Sequence, residues 1–294
     1  SVVIVTHDRR EELRQLLSDL TAMARAAGDE IVVVDDGSAD GTVEMVREEF
    51  PGVSLLVRPV NRGANAARNA AAQRARGETL VFLDDDTRVE DPRFLERVRK
   101  LFETEEAVAV VAFRILDPAT RKPRRFEIPH RRKDRYEDPC ETSTFISAGC
   151  AVRRSVYKTV GGMDESLTYG FEELDFSYRV IARGFRIFYR PNLWILHSLS
   201  PVARYRGRRI YYLFRNKIRI SARYLPWRMF AVQLGVWSGY FLKEALRIGR
   251  LDAFVAGLAS GLAGVPGQLQ NRRRDRLSAV AISRLRRLEG RLYY

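Results

Sequence analysis

The chain has 294 residues, 46% hydrophobic and 30% charged, which suits a folded soluble protein with one large domain, or a domain with an appendage. Its two cysteines, Cys140 and Cys150, lack metal-type spacing and argue against a secreted fold built on disulfides. The net charge of +14 is lopsided: residues 1–200 carry 31 Lys+Arg against 33 Asp+Glu, whereas residues 201–294 carry 20 against 4 and hold the whole basic excess, +16.

Ser1 to Thr6 reads as a buried strand running into the polar turn Thr6-His7-Asp8-Arg9. No signal peptide is visible, and a few native residues are expected to precede Ser1. Glu11 to Ala27 sets Leu13, Leu16, Leu17 and Leu20 on one helical face and ends at Gly28. Glu30 to Val34 is a second strand that terminates in Asp35-Asp36-Gly37-Ser38. A short helix over Thr42 to Phe50 and a strand over Val53 to Val57 follow. Asn61 to Arg76 is alanine-rich and helical, with Gly77 as its expected cap. Thr79 to Leu83 is a fourth buried strand, and Asp84, Asp85 and Asp86 come directly after it. With a helix over Pro92 to Phe102 and a strand over Ala107 to Phe113, the alternation predicts an α/β fold with a Rossmann-like, doubly wound, mostly parallel sheet.

Arg114 to Glu141 breaks the pattern and reads as a functional or disordered loop. Phe145 to Val152 is apolar again, Glu172 to Arg183 is a helix ended by Gly184, and Arg186 to Tyr189 and Leu193 to Leu196 are strands. In the basic third, Met229 to Leu242 is short for a membrane crossing, and Ala253 to Asn271 is interrupted by glycines and Pro266. A crossing helix needs about 20 strongly apolar residues, so these stretches either lie in a membrane interface or pack on the preceding domain. Arg272 to Tyr294 reads as a basic amphipathic helix with Leu277, Val280, Ala281, Leu285 and Leu288 on one face. The expected division is a domain over 1–200 and a basic helical extension over 201–294.

Ligands of open α/β sheets bind at the C-terminal ends of the strands. Three adjacent aspartates repel one another and are best tolerated around a divalent cation such as Mg²⁺ or Mn²⁺. The alternative is a solvated acidic turn ahead of the helix start at Asp91-Pro92. Glu172, Glu173 and Asp175 fall in one first helical turn, more acids than a cap uses. His197 follows an apolar run and would add an imidazole to the oxygen ligands.

Taken in order, Asp35-Asp36-Gly37-Ser38, Asn61-Arg62-Gly63 with Ala67-Arg68-Asn69, the aspartate cluster, Gly161-Gly162-Met163-Asp164-Glu165, Phe171-Glu172-Glu173-Leu174-Asp175 and His197 form a specific series. The series resembles the inverting A-fold (GT-A) glycosyltransferases of family 2, especially the bacterial rhamnosyltransferase-like branch. The resemblance covers residues 1 to 200 and continues more weakly through Tyr211 to Asn216. It implies that Thr6 and Arg9, with Asp35 or Asp36, hold the base and ribose of a nucleotide sugar, assisted by Arg68 and Asp85. Asp84 would face the nucleotide's sugar and share a Mn²⁺ or Mg²⁺ ion with Asp86 and His197, Asp86 being the direct ligand. Glu173 falls at the position of the catalytic base, with Glu172 the alternative, and Gly149, Asp164 and Asp175 on the acceptor side.

The implied activity is metal-dependent inverting transfer of a hexosyl or rhamnosyl group to a hydroxyl of a lipid-linked or envelope glycan acceptor. It would take place at the cytoplasmic face of the plasma membrane, with the basic third docked on anionic lipid. A nucleic-acid-binding protein would leave the acidic sheet edge unexplained, so no nucleic-acid partner is expected. An inactive glycosyltransferase-like scaffold has no need of Asp84, Asp86, Glu173 and His197 together. A sugar-nucleotide pyrophosphorylase would carry a glycine-rich loop after strand one, where Thr6-His7-Asp8-Arg9-Arg10 has no glycine.

Overall fold

The computed structural model describes residues 1–198 and 206–288. The expected domain junction at 200/201 and the end of the helix expected over 272–294 lie outside the described residues. The chain builds β1 (Val2–Thr6), α1 (Arg10–Ala27), β2 (Ile31–Asp35), α2 (Thr42–Glu49), β3 (Ser54–Val57), α3 (Ala64–Arg74) and β4 (Thr79–Asp84) in succession. Then come β5 (Thr87–Arg88), α4 (Phe94–Thr104), β6 (Val108–Leu116), β7 (Cys140–Thr142), β8 (Gly149–Arg153), α5 (Arg154–Val160), α6 (Glu172–Ala182) and β9 (Arg186–His197). Five helices close it: α7 (Arg206–Tyr224), α8 (Trp227–Ile248), α9 (Leu251–Ala263), α10 (Val265–Asp275) and α11 (Ala279–Arg287).

The strands form one sheet in the order β3-β2-β1-β4-β8-β6-β9-β5, with β7 paired to β9. The first four are mutually parallel. β8 is antiparallel to both β4 and β6, so the sheet is mixed. Side chains of a strand alternate between faces. In β4, Leu80 and Phe82 join one core with α3, α5 and α6, while Val81 and Leu83 join another with α1, α2 and α4. Helices on both faces make this half Rossmann-like and leave the C-terminal ends of β1, β2 and β4 at one edge.

Several local expectations shift. The two late strands are one strand, β9, whose pairing to β6 jumps from Arg190 to Trp194. Pro191 lies in that jump, and a proline cannot donate to the ladder. Helix α3 ends at Ala75 rather than at Gly77. Gly77 is instead a close-approach site, where a Cβ would lie 2.6 Å from the Ser1 nitrogen. The basic helix expected from Arg272 is broken: α10 ends at Asp275, and Ser278 caps α11 by accepting the Ala281 N–H at 3.1 Å. Leu277, Ala281 and Leu285 are buried as expected, but Val280 is exposed.

The C-terminal helices share the core of the first part of the chain. Ile220 and Tyr224 of α7 and Leu277, Ala281 and Leu285 pack in the same cluster as α6. A separate apolar cluster joins α7, α8 and α9 through Phe214, Ile218, Phe241 and Phe254. Among the described residues, no helix is long and apolar enough to cross a membrane.

Candidate active site

The parallel register sets Thr6 beside Asp35 and Val5 beside Asp84, so three expected site residues end adjacent strands. After β4 the chain turns sharply, with the Thr87 hydroxyl donating to the Asp84 carbonyl at 2.7 Å. β5 then pairs with the end of β9, Thr87 opposite His197, and the Ser198 N–H donates to the Asp86 carbonyl at 2.8 Å. This pairing is what carries a histidine more than a hundred residues away onto the aspartates.

Asp84, Asp86 and His197 each present one ligand atom, all within 4.8 Å of one another. Two carboxylates and an imidazole are a donor set that Mg²⁺ or Mn²⁺ accepts, so the residues fit such an ion. The three aspartates are balanced by three cationic groups. Arg9 Nη1 lies 2.8 Å from Asp85 Oδ1 and 3.0 Å from Asp86 Oδ2. Arg68 Nη2 donates to Asp84 Oδ1 at 2.7 Å. His197 Nε2 is 3.2 Å from Asp86 Oδ1. Burial, with Asp86 and Asp84 alongside, pushes the Asp85 carboxyl up to about 7 against the pull of Arg9. Burial alone would lower the His197 pKa, but hydrogen bonds to Asp86 and Glu127 outweigh it and raise it to about 10.

Glu127 is the site residue that the sequence did not disclose. It sits 1% exposed within the irregular segment after β6, with Oε1 2.8 Å from His197 Nδ1. Arg124 holds it there, lying 3.2 Å from Glu127 Oε2, donating to the His197 carbonyl at 3.0 Å and pairing with Asp117. A carboxylate on the far nitrogen of a metal-binding histidine fixes the ring's tautomer and orientation. With Nδ1–H donated to Glu127, the Nε2 lone pair of a neutral His197 faces the aspartates. The only sequence signal for this was the i,i+3 spacing of Arg124 and Glu127, which is common on exposed turns.

The glutamates open α6. Glu173 Oε1 accepts the Ser147 N–H at 3.1 Å and the Ser147 hydroxyl at 2.8 Å. The next residue along, Ala148, accepts the Asp84 N–H at 3.3 Å, so the base candidate and the aspartate cluster share one short segment. Glu172 has a buried Oε2 without a hydrogen bond, and burial together with the Glu173 charge pushes its carboxyl up to about 8. Arg68 feels Asp84, Glu172 and Glu173 together, and their charges outweigh its burial to keep it firmly protonated. Before α6, Gly170 and Phe171 both take left-handed backbone conformations, φ 78° and 66°. Asn216 of α7 fastens this strained pair by donating to the Tyr169 and Gly170 carbonyls at 3.0 and 2.9 Å. That gives the Tyr211 to Asn216 element a positioning role.

Other expected residues also hold local loops and elements together. Asp36 accepts the Arg62 and Gly63 N–H groups and pairs with Arg58, fixing the loop before α3. Asp35 is fully buried and accepts the Gly37 and Ser38 N–H groups through Oδ1. Asp175, expected on the acceptor side, is 1% exposed and spent on Arg179 and the Tyr224 hydroxyl at 2.6 Å. Asp164 caps Ser166 and pairs with Arg223 at 2.9 Å. Gly149 is a packing glycine in the sheet, where a Cβ would lie 2.6 Å from Ile195 Cδ1. Gly149, Asp164 and Asp175, expected on the acceptor side, thus each contact other elements of the chain, and Asp164 stays partly exposed.

Residues 1–161 match the family described as Glycosyl transferase family 2. An uncharacterized glycosyltransferase of Bacillus subtilis (strain 168), YwdF, is 28% identical over 243 residues, 80% of this chain and 88% of the relative. The pre-mycofactocin glycosyltransferase of Mycobacterium tuberculosis (strain H37Rv) is 30% identical over 212 residues, which is 67% of this chain but 42% of that protein. The fold is shared with a mannosyltransferase, PcManGT, from Pyrobaculum calidifontis, solved with GDP-Man and Mn²⁺ (TM-score 0.59, 19% identity, 97% of this chain and 82% of that one). It is also shared with GalNAc-T7, solved with UDP, GalNAc and Mn²⁺ (TM-score 0.61, 18% identity, 79% of this chain and 49% of that one).

Proposed function

Because the chain belongs to glycosyl transferase family 2, we propose that it is a metal-dependent, inverting glycosyltransferase. In this reading it moves a hexosyl or rhamnosyl group from a nucleoside-diphosphate sugar to a hydroxyl of a lipid-linked or envelope glycan acceptor. The convergence of Asp84, Asp86 and His197 within 4.8 Å at the ligand edge of the sheet is the observation that carries it. Relatives named as glycosyltransferases, and folds solved with UDP or GDP-Man and Mn²⁺, support the donor class.

Mn²⁺ or Mg²⁺ held by Asp86, Asp84 and His197 would supply charge stabilisation to the departing diphosphate. The chain's own residues do the rest. Thr6, Arg9 and Asp35 border the nucleotide end, and Arg68 orients Asp84 through its 2.7 Å hydrogen bond. Glu173 receives the acceptor's proton as its hydroxyl oxygen attacks the anomeric carbon from the face opposite the leaving group. The bond to the diphosphate oxygen breaks in the same displacement, so the configuration inverts without an enzyme-bound sugar. Glu173 suits this role better than Glu172, because the Ser147 N–H and hydroxyl fix its Oε1 on the segment that also holds the aspartate cluster. The acceptor reading carries with it a working place on the cytoplasmic face of the plasma membrane, with the basic third against anionic lipid.

Glu127 offers a direct test. Glu127→Gln is expected to weaken Mn²⁺ binding roughly 10–100-fold, the usual effect of losing the partner of a metal-bound histidine. Equilibrium titration of free Mn²⁺ by its electron paramagnetic resonance signal reads this without turnover. Unchanged Mn²⁺ affinity would remove His197 from the ligand set.

A further inference from the structure

We propose that the outer face of the α8–α9 hairpin is the surface that beds into an anionic lipid bilayer. Both helices already bury one side against α7 through Phe214, Phe241, Ala245 and Phe254. Their opposite sides are apolar as well: Val232, Val236 and Leu246 of α8 and Leu251, Val255 and Leu262 of α9 are 42% to 64% exposed. A helix apolar on all sides belongs in a core or in lipid. Gly235 and Gly239 leave open space on the same outer side of α8, which keeps the surface low. Exposed apolar residues elsewhere are scattered: among the described residues, only Val57, Val60 and Phe126 are large and exposed before α7. Contiguous exposed apolar surface of this kind marks an interaction site.

Charge selects the occupant. Arg228 and Arg247 stand at the two ends of the exposed α8 stripe, Lys243 falls within it, and Arg273, Arg274 and Arg276 follow α9 on α10 and its end. Residues 201–294 carry 20 basic against 4 acidic residues, whereas residues 1–200 are close to neutral. Trp227 and Tyr240, half exposed on α8, have the amphipathic rings that favour the headgroup layer. Neither helix can cross a bilayer, so the hairpin lies in the interface with its basic rim on anionic headgroups.

This deepens the membrane part of the proposed function, and it is tested without any sugar transfer. The full chain is sedimented with sucrose-loaded vesicles of phosphatidylcholine alone, or with about 30 mol% phosphatidylglycerol. The expected result is partitioning at least about tenfold stronger onto the anionic vesicles, lost about tenfold in the Val232→Glu/Val236→Glu variant. Both positions are exposed, so the variant keeps its thermal midpoint and its metal-dependent nucleotide binding. Three results overturn the proposal. One is no preference for anionic vesicles. Another is partitioning that the double variant leaves intact. The third is a dimer that the double variant dissolves while vesicles bind neither protein, which would give the face to a second copy. None of the three touches the glycosyltransferase reading, and failure of transfer would leave vesicle docking in place.

Discussion

Glu173→Gln abolishes transfer, lowering kcat by about 10³-fold or more, while nucleotide-sugar binding persists. The glutamine has the same shape, and the Ser147 N–H and hydroxyl that hold Glu173 Oε1 at 3.1 and 2.8 Å can hold an amide oxygen as well. What is lost is the capacity to take a proton, and a positioned general base is worth roughly 10²–10⁴ in rate. Glu172→Gln has a much smaller effect, because Glu172 lacks the Ser147 contacts that fix Glu173 beside the aspartate cluster. Its signature is in stability instead. The folded state holds the Glu172 proton from its ordinary value of 4.5 up to about 8, so stability falls as pH rises through that window, and the glutamine removes this part of the slope. Single-turnover kinetics with a fixed donor separate the two variants. Full turnover in Glu173→Gln would move the base elsewhere.

Asp86→Ala removes the metal dependence of donor binding. The carboxylate meets Arg9 Nη1 at 3.0 Å and His197 Nε2 at 3.2 Å, and it belongs to the group of ligand atoms within 4.8 Å. Arg9 keeps Asp85 and His197 keeps Glu127 in the variant, and one of three mutually repelling charges is gone, so the fold survives. Nucleotide-sugar affinity in the presence of Mn²⁺ should fall to the value measured in chelator. Loss of a direct ligand should exceed the roughly 10–100-fold cost of losing a ligand's partner. Calorimetric titration with and without chelator checks it. An equal loss in chelator would show that Asp86 binds the nucleotide directly and not through a cation.

The Rossmann-like half was legible because β1, β2 and β4 are short β-branched runs punctuated by polar turns, a pattern that depends on neighbours in sequence. The aspartate cluster was legible for the same reason. Glu127 was not, because its burial comes from pairing with a histidine 70 residues away. The partners of Asp175 were equally hidden. An acid in a first helical turn looks free, and only the fold reveals Arg179 and Tyr224 as its partners. Helix α7 was not read as a separate helix: Ile210, Phe214 and Ile218 recur every fourth residue, but the six arginines of Arg206–Tyr224 mask the stripe. The antiparallel insertion of β8 left no local mark, since a strand's direction is set by the route of the chain between elements.

The most direct measurement is a thermal-shift comparison of UDP-, GDP- and dTDP-nucleotides, each with Mn²⁺ and with chelator. A ligand at about 100 times its Kd stabilises the folded state by about 2.7 kcal/mol, roughly 4–5 °C for a chain of this size. The predicted result is a shift of that order for at least one nucleotide with Mn²⁺ and its disappearance in chelator. A shift of the same size in chelator, or none with any nucleotide in either condition, would contradict a metal-dependent nucleotide-sugar transferase.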